Sequence, residues 1–90
     1  MLNKHLEMEI TIKKTVEEKV VIILPAYFKD ICNVYKVYSS VNCIRVCYSE
    51  GFESISNTYA GLPFEMEAPE STEEEFNEMF NTIKDKLCTL

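Results

Sequence analysis

Ser71-Thr72-Glu73-Glu74-Glu75-Phe76-Asn77-Glu78-Met79-Phe80-Asn81-Thr82-Ile83-Lys84-Asp85-Lys86-Leu87 reads as one amphipathic helix. Phe76, Met79, Phe80, Ile83 and Leu87 recur at three- and four-residue steps and form one apolar stripe. Thr72 is the expected N-cap, and Glu75 three residues later completes a capping-box pattern. Ser71 with Glu74 offers the same pattern one residue earlier. Glu73, Glu74 and Glu75 occupy the first turn, where the helix dipole favours negative charge, and Lys84 and Lys86 fall near the end that favours cations. Such a stripe needs an apolar surface to cover, and the residues before it supply one.

Upstream, the period changes from 3.6 to 2. Met8–Lys14 alternates, with Ile10 and Ile12 on one side and Glu9, Thr11 and Lys13 on the other. Thr15-Val16-Glu17-Glu18 reads as a hairpin loop, and Lys19–Ala26 as a strand apolar on both faces, closed by Pro25. Phe28–Cys32 is a connection. Asn33–Tyr38 and Cys43–Tyr48 are strands around Ser39-Ser40-Val41-Asn42. Glu50-Gly51 suits a tight turn because glycine accepts positive φ, and Glu53–Tyr59 is a fifth strand. Leu62, Phe64 and Met66 alternate with Pro63, Glu65 and Glu67 as a short edge strand or an extended strap that Pro69 ends. The expected architecture is α+β: a two-layer sandwich in which an antiparallel meander of five or six strands is covered on one face by a single C-terminal helix. Residues 1–7 are expected to be a tail and residues 8–90 one domain.

Hairpins centred on Ser40-Val41 and Glu50-Gly51 place Tyr35, Val37, Ile44, Val46, Tyr48 and Ile55 on the helix-facing side, with Ile10, Ile12, Val21 and Ile23. The outer side then carries Val34, Lys36 and Tyr38, next to Cys43, Arg45 and Cys47, next to Ser54, Ser56 and Thr58. In this register Lys36 lies opposite Arg45, a like-charge pair that costs about 0.2–1 kcal/mol unless an acid or an anionic partner offsets it. Val20, Ile22 and Leu24 fall on the same outer side; an apolar stripe there is either an oligomer interface, such as that of a homodimer, or is covered by the N-terminal tail through Leu2 and Leu6 or by a curled sheet.

Charge is divided unevenly along the chain. From Val46 through Ile83 there is no Lys, Arg or His but there are nine glutamates, and the whole chain carries a net charge of −6. That field repels phosphate and anionic lipid, so nucleic acid and membrane surfaces are disfavoured partners. The longest apolar run, Val20–Leu24, is far too short to span a bilayer, and the N-terminus has no apolar signal-like region. A cytoplasmic location with reduced thiols at Cys32, Cys43, Cys47 and Cys88 is the expectation. His5 is the one imidazole and there is no Cys-x-x-Cys, so neither a zinc site nor any other cofactor is expected. The sequence lacks a phosphate-binding glycine loop and a Gly-x-Ser-x-Gly elbow, and enzyme activity is not expected.

What remains is interaction. The first reading is a small acidic module that docks on a basic protein partner through Glu65, Glu67, Glu70, Glu73, Glu74, Glu75 and Glu78. The second is a single-stranded nucleic-acid binder that stacks a base on Tyr38 and meets phosphate with Lys36 and Arg45. The third is a homo-oligomeric structural or accessory protein assembled through Val20, Ile22 and Leu24. In composition, rich in Lys, Glu, Ile and Asn and poor in Ala, the chain is similar to small proteins of phages and mobile elements, among them inhibitors and accessory proteins. That likeness rests on no motif and assigns no site residue. Thiol titration of denatured protein purified without reductant is expected to find all four cysteines reactive; fewer would mean a disulfide or a bound metal.

Overall fold

The computed structural model describes the backbone of residues 6–13 and 17–88, with side chains at Glu9, Ile10 and from Val21 onward. Six strands precede two helices: β1 Leu6–Lys13, β2 Glu17–Leu24, β3 Ala26–Lys29, β4 Asn33–Val37, β5 Asn42–Cys47, β6 Ser54–Tyr59, α1 Leu62–Glu65 and α2 Glu73–Cys88. The class is α+β with antiparallel strands, as the sequence implies. The strands form two sheets rather than one meander. β1 and β2 pair only with each other, while β3, β4, β5 and β6 make a four-stranded sheet in that order. β1 starts at Leu6, so two of the seven residues expected in a tail belong to a strand. Residues 1–5 and 14–16 lie outside the described residues, while Glu17 and Glu18, expected in the hairpin loop, belong to β2.

Pro25 separates the two sheets. Its missing N–H ends the β2 ladder, the Leu24–Pro25 bond is cis, and the chain re-enters as β3. The stretch Phe28–Cys32 is therefore a connection only after Lys29.

Register explains the next difference. β5 and β6 pair around the Glu50-Gly51 turn as expected, with Val46 opposite Ile55 and Cys43 opposite Thr58. Gly51 sits at φ 89°, and Phe52 N–H donates to the Ser49 carbonyl at 2.9 Å. β4 and β5 pair one residue away from the expected register: Lys36 faces Ile44, and Arg45 faces Tyr35. The Ser39 hydroxyl accepts the N–H groups of Val41 and Asn42 at 3.2 and 3.0 Å and closes a longer loop. A one-residue shift turns a whole strand over. Val34 and Lys36 now face the helix side, and Tyr35 and Val37 face away from it.

That reversal is affordable because both faces of the sheet are covered. On one face, α2 packs Phe76 and Ile83 on Val34 and Val46, joined by Tyr27, Ile44, Ile55 and Phe80. On the other face, Ile10 and Leu24 of the ribbon pack on Phe28, Tyr35, Val37 and Cys43, with Leu62, Phe64 and Ala68 of the α1 region beside them. The molecule thus has three layers, α2, sheet and ribbon with α1, where one covering helix was expected.

The α2 N-cap matches expectation: Glu75 N–H donates to Thr72 Oγ1 at 3.1 Å. The Glu75 carboxylate does not close the box. It accepts from Lys29 Nζ at 2.6 Å and from the Ser71 hydroxyl at 2.5 Å. Phe76 is 3 % exposed and stacks on Phe80 with ring centroids 5.8 Å apart. Phe76→Ala is expected to lower unfolding free energy by about 3–5 kcal/mol, and half-buried Phe80→Ala by less. Urea unfolding with unchanged midpoints would contradict this packing.

Candidate functional site

The acidic residues run from the end of α1 at Glu65, through Glu67 and Glu70 on a strap between the helices, into the first turns of α2 at Glu73, Glu74, Glu75 and Glu78. Pro63 opens α1, a position where a missing N–H costs nothing. The helix ends in a Schellman pattern: Ala68 N–H reaches the Pro63 carbonyl at 2.9 Å and Glu67 N–H the Phe64 carbonyl at 3.1 Å. This ending requires a left-handed residue, and Glu67 fills it with φ 55°. The strap then pairs with the outer edge of β3. Lys29 N–H donates to the Pro69 carbonyl at 2.9 Å, Ser71 N–H to the Tyr27 carbonyl at 2.8 Å, and Phe28 bridges Glu70. One sheet edge is therefore closed by the chain itself.

Of the seven glutamates singled out from the sequence, Glu67, Glu70, Glu73, Glu74 and Glu78 are exposed. Glu65 and Glu75 are half-buried and engaged. Glu65 accepts the Tyr59 hydroxyl at 2.7 Å. Glu75 pairs with Lys29, whose hydrogen bond holds the carboxyl below its ordinary range, aided by the Ser71 hydroxyl. The same bond raises the Lys29 ammonium. The cation beside the strap is thus already committed to an acid that lies underneath it.

The proposed nucleic-acid platform is not assembled. Lys36 lies on the helix side, paired with Ile44, while Arg45 lies on the ribbon side, paired with Tyr35 and Ser56. Both are half-buried, and the one-residue shift that separates them removes the like-charge pair as well. Tyr38 is exposed, with its hydroxyl bonded to Asn57 at 2.9 Å. The oligomer stripe is also overturned. Leu24 is 3 % exposed and Ile22 is half-buried, both packed in the ribbon-side core. The outward residues of β2 are instead Val21 and Ile23. The Val20 side chain lies outside the described residues.

A polar knot at Asp30 carries no obvious sequence motif beyond an Asp followed by Asn33 in a turn. Asp30 Oδ1 accepts the N–H groups of Cys32 and Asn33 at 2.9 and 2.8 Å, and Oδ2 accepts the Tyr35 hydroxyl at 2.6 Å. Tyr48 donates to the Asp30 carbonyl at 2.7 Å. Burial pushes the Asp30 carboxyl up, but the hydrogen bonds from Tyr35, Cys32 and Asn33 together hold it below its ordinary value. Burial, then the Asp30 bond, push the Tyr35 phenol far up. The knot has donors and acceptors matched to one another and serves to fix the β3–β4 turn. Burial also raises the Cys43 thiol to about 11, leaving it protonated and unreactive at neutral pH.

Two hollows flank β6. One, of about 670 Å³, is lined by Glu9, Val41, Tyr59, Gly61 and Glu65. The other, about 390 Å³ and shallower, is lined by Tyr38, Ile44, Ile55, Asn57 and Phe80. Among the described residues, no three His, Cys, Asp or Glu side chains are grouped to hold a metal ion, and no helix is long and apolar enough to cross a membrane. The chain matches no family model, no curated protein and no solved structure.

Asp30→Asn keeps the two backbone bonds but deprives the Tyr35 hydroxyl of a charged acceptor, so a loss of about 1.5–3 kcal/mol is expected near neutral pH. Because the folded-state pKa of Asp30 is depressed, its contribution is complete above the unfolded value. It is lost as pH falls through the folded one. Unfolding measured from pH 6 down to pH 2 is expected to show a steeper acid loss in the wild type than in Asp30→Asn. Parallel curves would remove the knot from the stability account.

Proposed function

We propose that this chain is a non-catalytic protein-binding module that presents the acidic strap and the first turns of α2 to a basic surface on a partner. One observation supports it above the others. Five exposed glutamates follow one another along 67–78, two on the strap that is tied to β3 at residues 69–71 and three on the first turns of α2, while the neighbouring Lys29 is paired with Glu75. A rigid backbone carrying closely spaced like charges loses little entropy on docking and gains electrostatic attraction from a basic partner.

Glu67 adds to this reading. A non-glycine residue in the left-handed region costs about 1 kcal/mol, and glycine is the usual occupant of that helix ending. The side chain is exposed, so this ending places a carboxylate where a basic partner could reach it. The small size, net charge and alanine-poor composition suit an inhibitor or accessory protein of the phage or mobile-element type, acting in the cytoplasm.

The test is capture from a source-cell lysate by tagged wild type and by a variant with Glu67, Glu70, Glu73, Glu74 and Glu78 all replaced by Gln. A basic protein retained by wild type, released by moderate salt and absent from the Gln variant is the expected result, because exposed charges are screened over about 8–10 Å at physiological ionic strength. Equal capture by both would remove the strap from the interface. Separately, Glu67→Gly is expected to raise stability by up to about 1 kcal/mol while weakening capture.

A further inference from the structure

The two edges of the four-stranded sheet are treated differently. The β3 edge is covered by residues 69–71. The β6 edge has no strand partner among the described residues. Because Ala60 N–H donates to the Val41 carbonyl, the antiparallel alternation turns the amides of Ser54, Ser56 and Thr58 toward β5. Those of Ile55, Asn57 and Tyr59 point outward. Exposed edges are ordinarily blunted by Lys, Pro, a bulge or a cover. Ser54-Ile55-Ser56-Asn57-Thr58-Tyr59 contains no charge and no proline, and its pairing with β5 is continuous from Cys47–Ser54 to Asn42–Tyr59.

Beside this edge, between β6 and α2, lies the shallow hollow of Ile44, Ile55, Asn57 and Phe80. An edge strand with outward amides next to an apolar hollow beneath a helix is the geometry of strand addition: the backbone supplies affinity and alternate side chains enter the hollow. Carboxylates bracket the edge. Glu50 is exposed ahead of β6, where Glu53 is already paired with Lys86 at 2.6 Å, and Glu9 and Glu65 line the other, larger hollow, beside Tyr59 at the far end of the strand.

We propose that β6 accepts an extended segment of a partner protein as a fifth strand, with an uncharged β-branched centre and Lys or Arg at both ends. A second copy of this chain fits less well. Antiparallel self-pairing about Ser56 would set Glu53 of one copy opposite Tyr59 of the other, beside Glu65, at both ends of the ladder. The site lies on the sheet edge opposite the acidic strap, so it stands or falls independently of the strap reading.

The probe is a capped nonapeptide of alternating Val and Thr with two Lys at each end, and its control carries Glu in place of Lys. Hydrogen exchange read by NMR on the full chain is expected to show added protection at Ile55, Asn57 and Tyr59 with the Lys-flanked peptide. Binding of the Glu-flanked peptide is expected to be about tenfold weaker or more. Asn57→Pro deletes an outward N–H that has no strand partner among the described residues, together with the exposed Tyr38 bond, and is expected to weaken binding about tenfold with an unchanged far-UV spectrum. Should that variant unfold, the exchange map on wild type decides alone. The variant with the five exposed glutamates of residues 67–78 replaced by Gln is expected to keep the β6 protection. No binding at about 1 mM peptide, equal binding of both peptides, or protection confined to residues 67–78 would overturn the proposal. So would a peptide-free dimer with protected β6 amides, which would make a second copy the occupant.

Discussion

β4 is buried on both sides, and the rest of the structure follows from that. Val34, Tyr35 and Val37 are each fully buried although consecutive side chains point in opposite directions. A central strand of this kind needs apolar cover above and below. α2 supplies one cover through Phe76 and Ile83, and the ribbon supplies the other through Ile10 and Leu24. Fully burying side chains of this size is worth about 1.5–3 kcal/mol each, so neither layer is dispensable in a chain this short. The Asp30 knot belongs to the same constraint. Tyr35 brings a hydroxyl to the boundary of the core, and a hydroxyl there needs an acceptor; Asp30 provides it and at the same time closes the turn into β4.

Covering both faces of the sheet leaves its edges, the loops and the outer surfaces of α2 and of the β1–β2 ribbon for recognition. The chain closes the β3 edge with residues 69–71 of its own strap, which leads directly into the acidic first turn of α2. It leaves the β6 edge uncharged and unpaired among the described residues. Acidic surface and open edge are therefore on opposite sides of one sheet, and a partner could use either without the other. The buried Cys43 thiol, the polar knot and the engaged carboxylates Glu65 and Glu75 are parts of the scaffold, with partners for their polar groups already in place.

The helix, its Thr72 cap, the β5–β6 hairpin and the α+β class were legible because each rests on local physics: a 3.6-residue stripe, a hydroxyl next to orphan amides, a glycine able to take positive φ. The acidic segment was legible as charge, though not as a strap. Leu62–Met66 alternates like a strand but forms one helical turn, since Pro63 favours a helix start and the Schellman bonds close the end.

The sequence by itself determined five of the six strands, all but β3, and the long helix, because periodicity and capping act between neighbours in the chain. It could not determine which side of β4 faces α2. An alternation argument needs one polar face, and β4 has two apolar ones, so a single extra residue in the Ser39 loop reversed every assignment built on it. That reversal alone separated Lys36 from Arg45. The removal of the ribbon from the sheet after Pro25, and with it the burial of Ile22 and Leu24, was likewise settled only when a second apolar face had to be covered by distant residues.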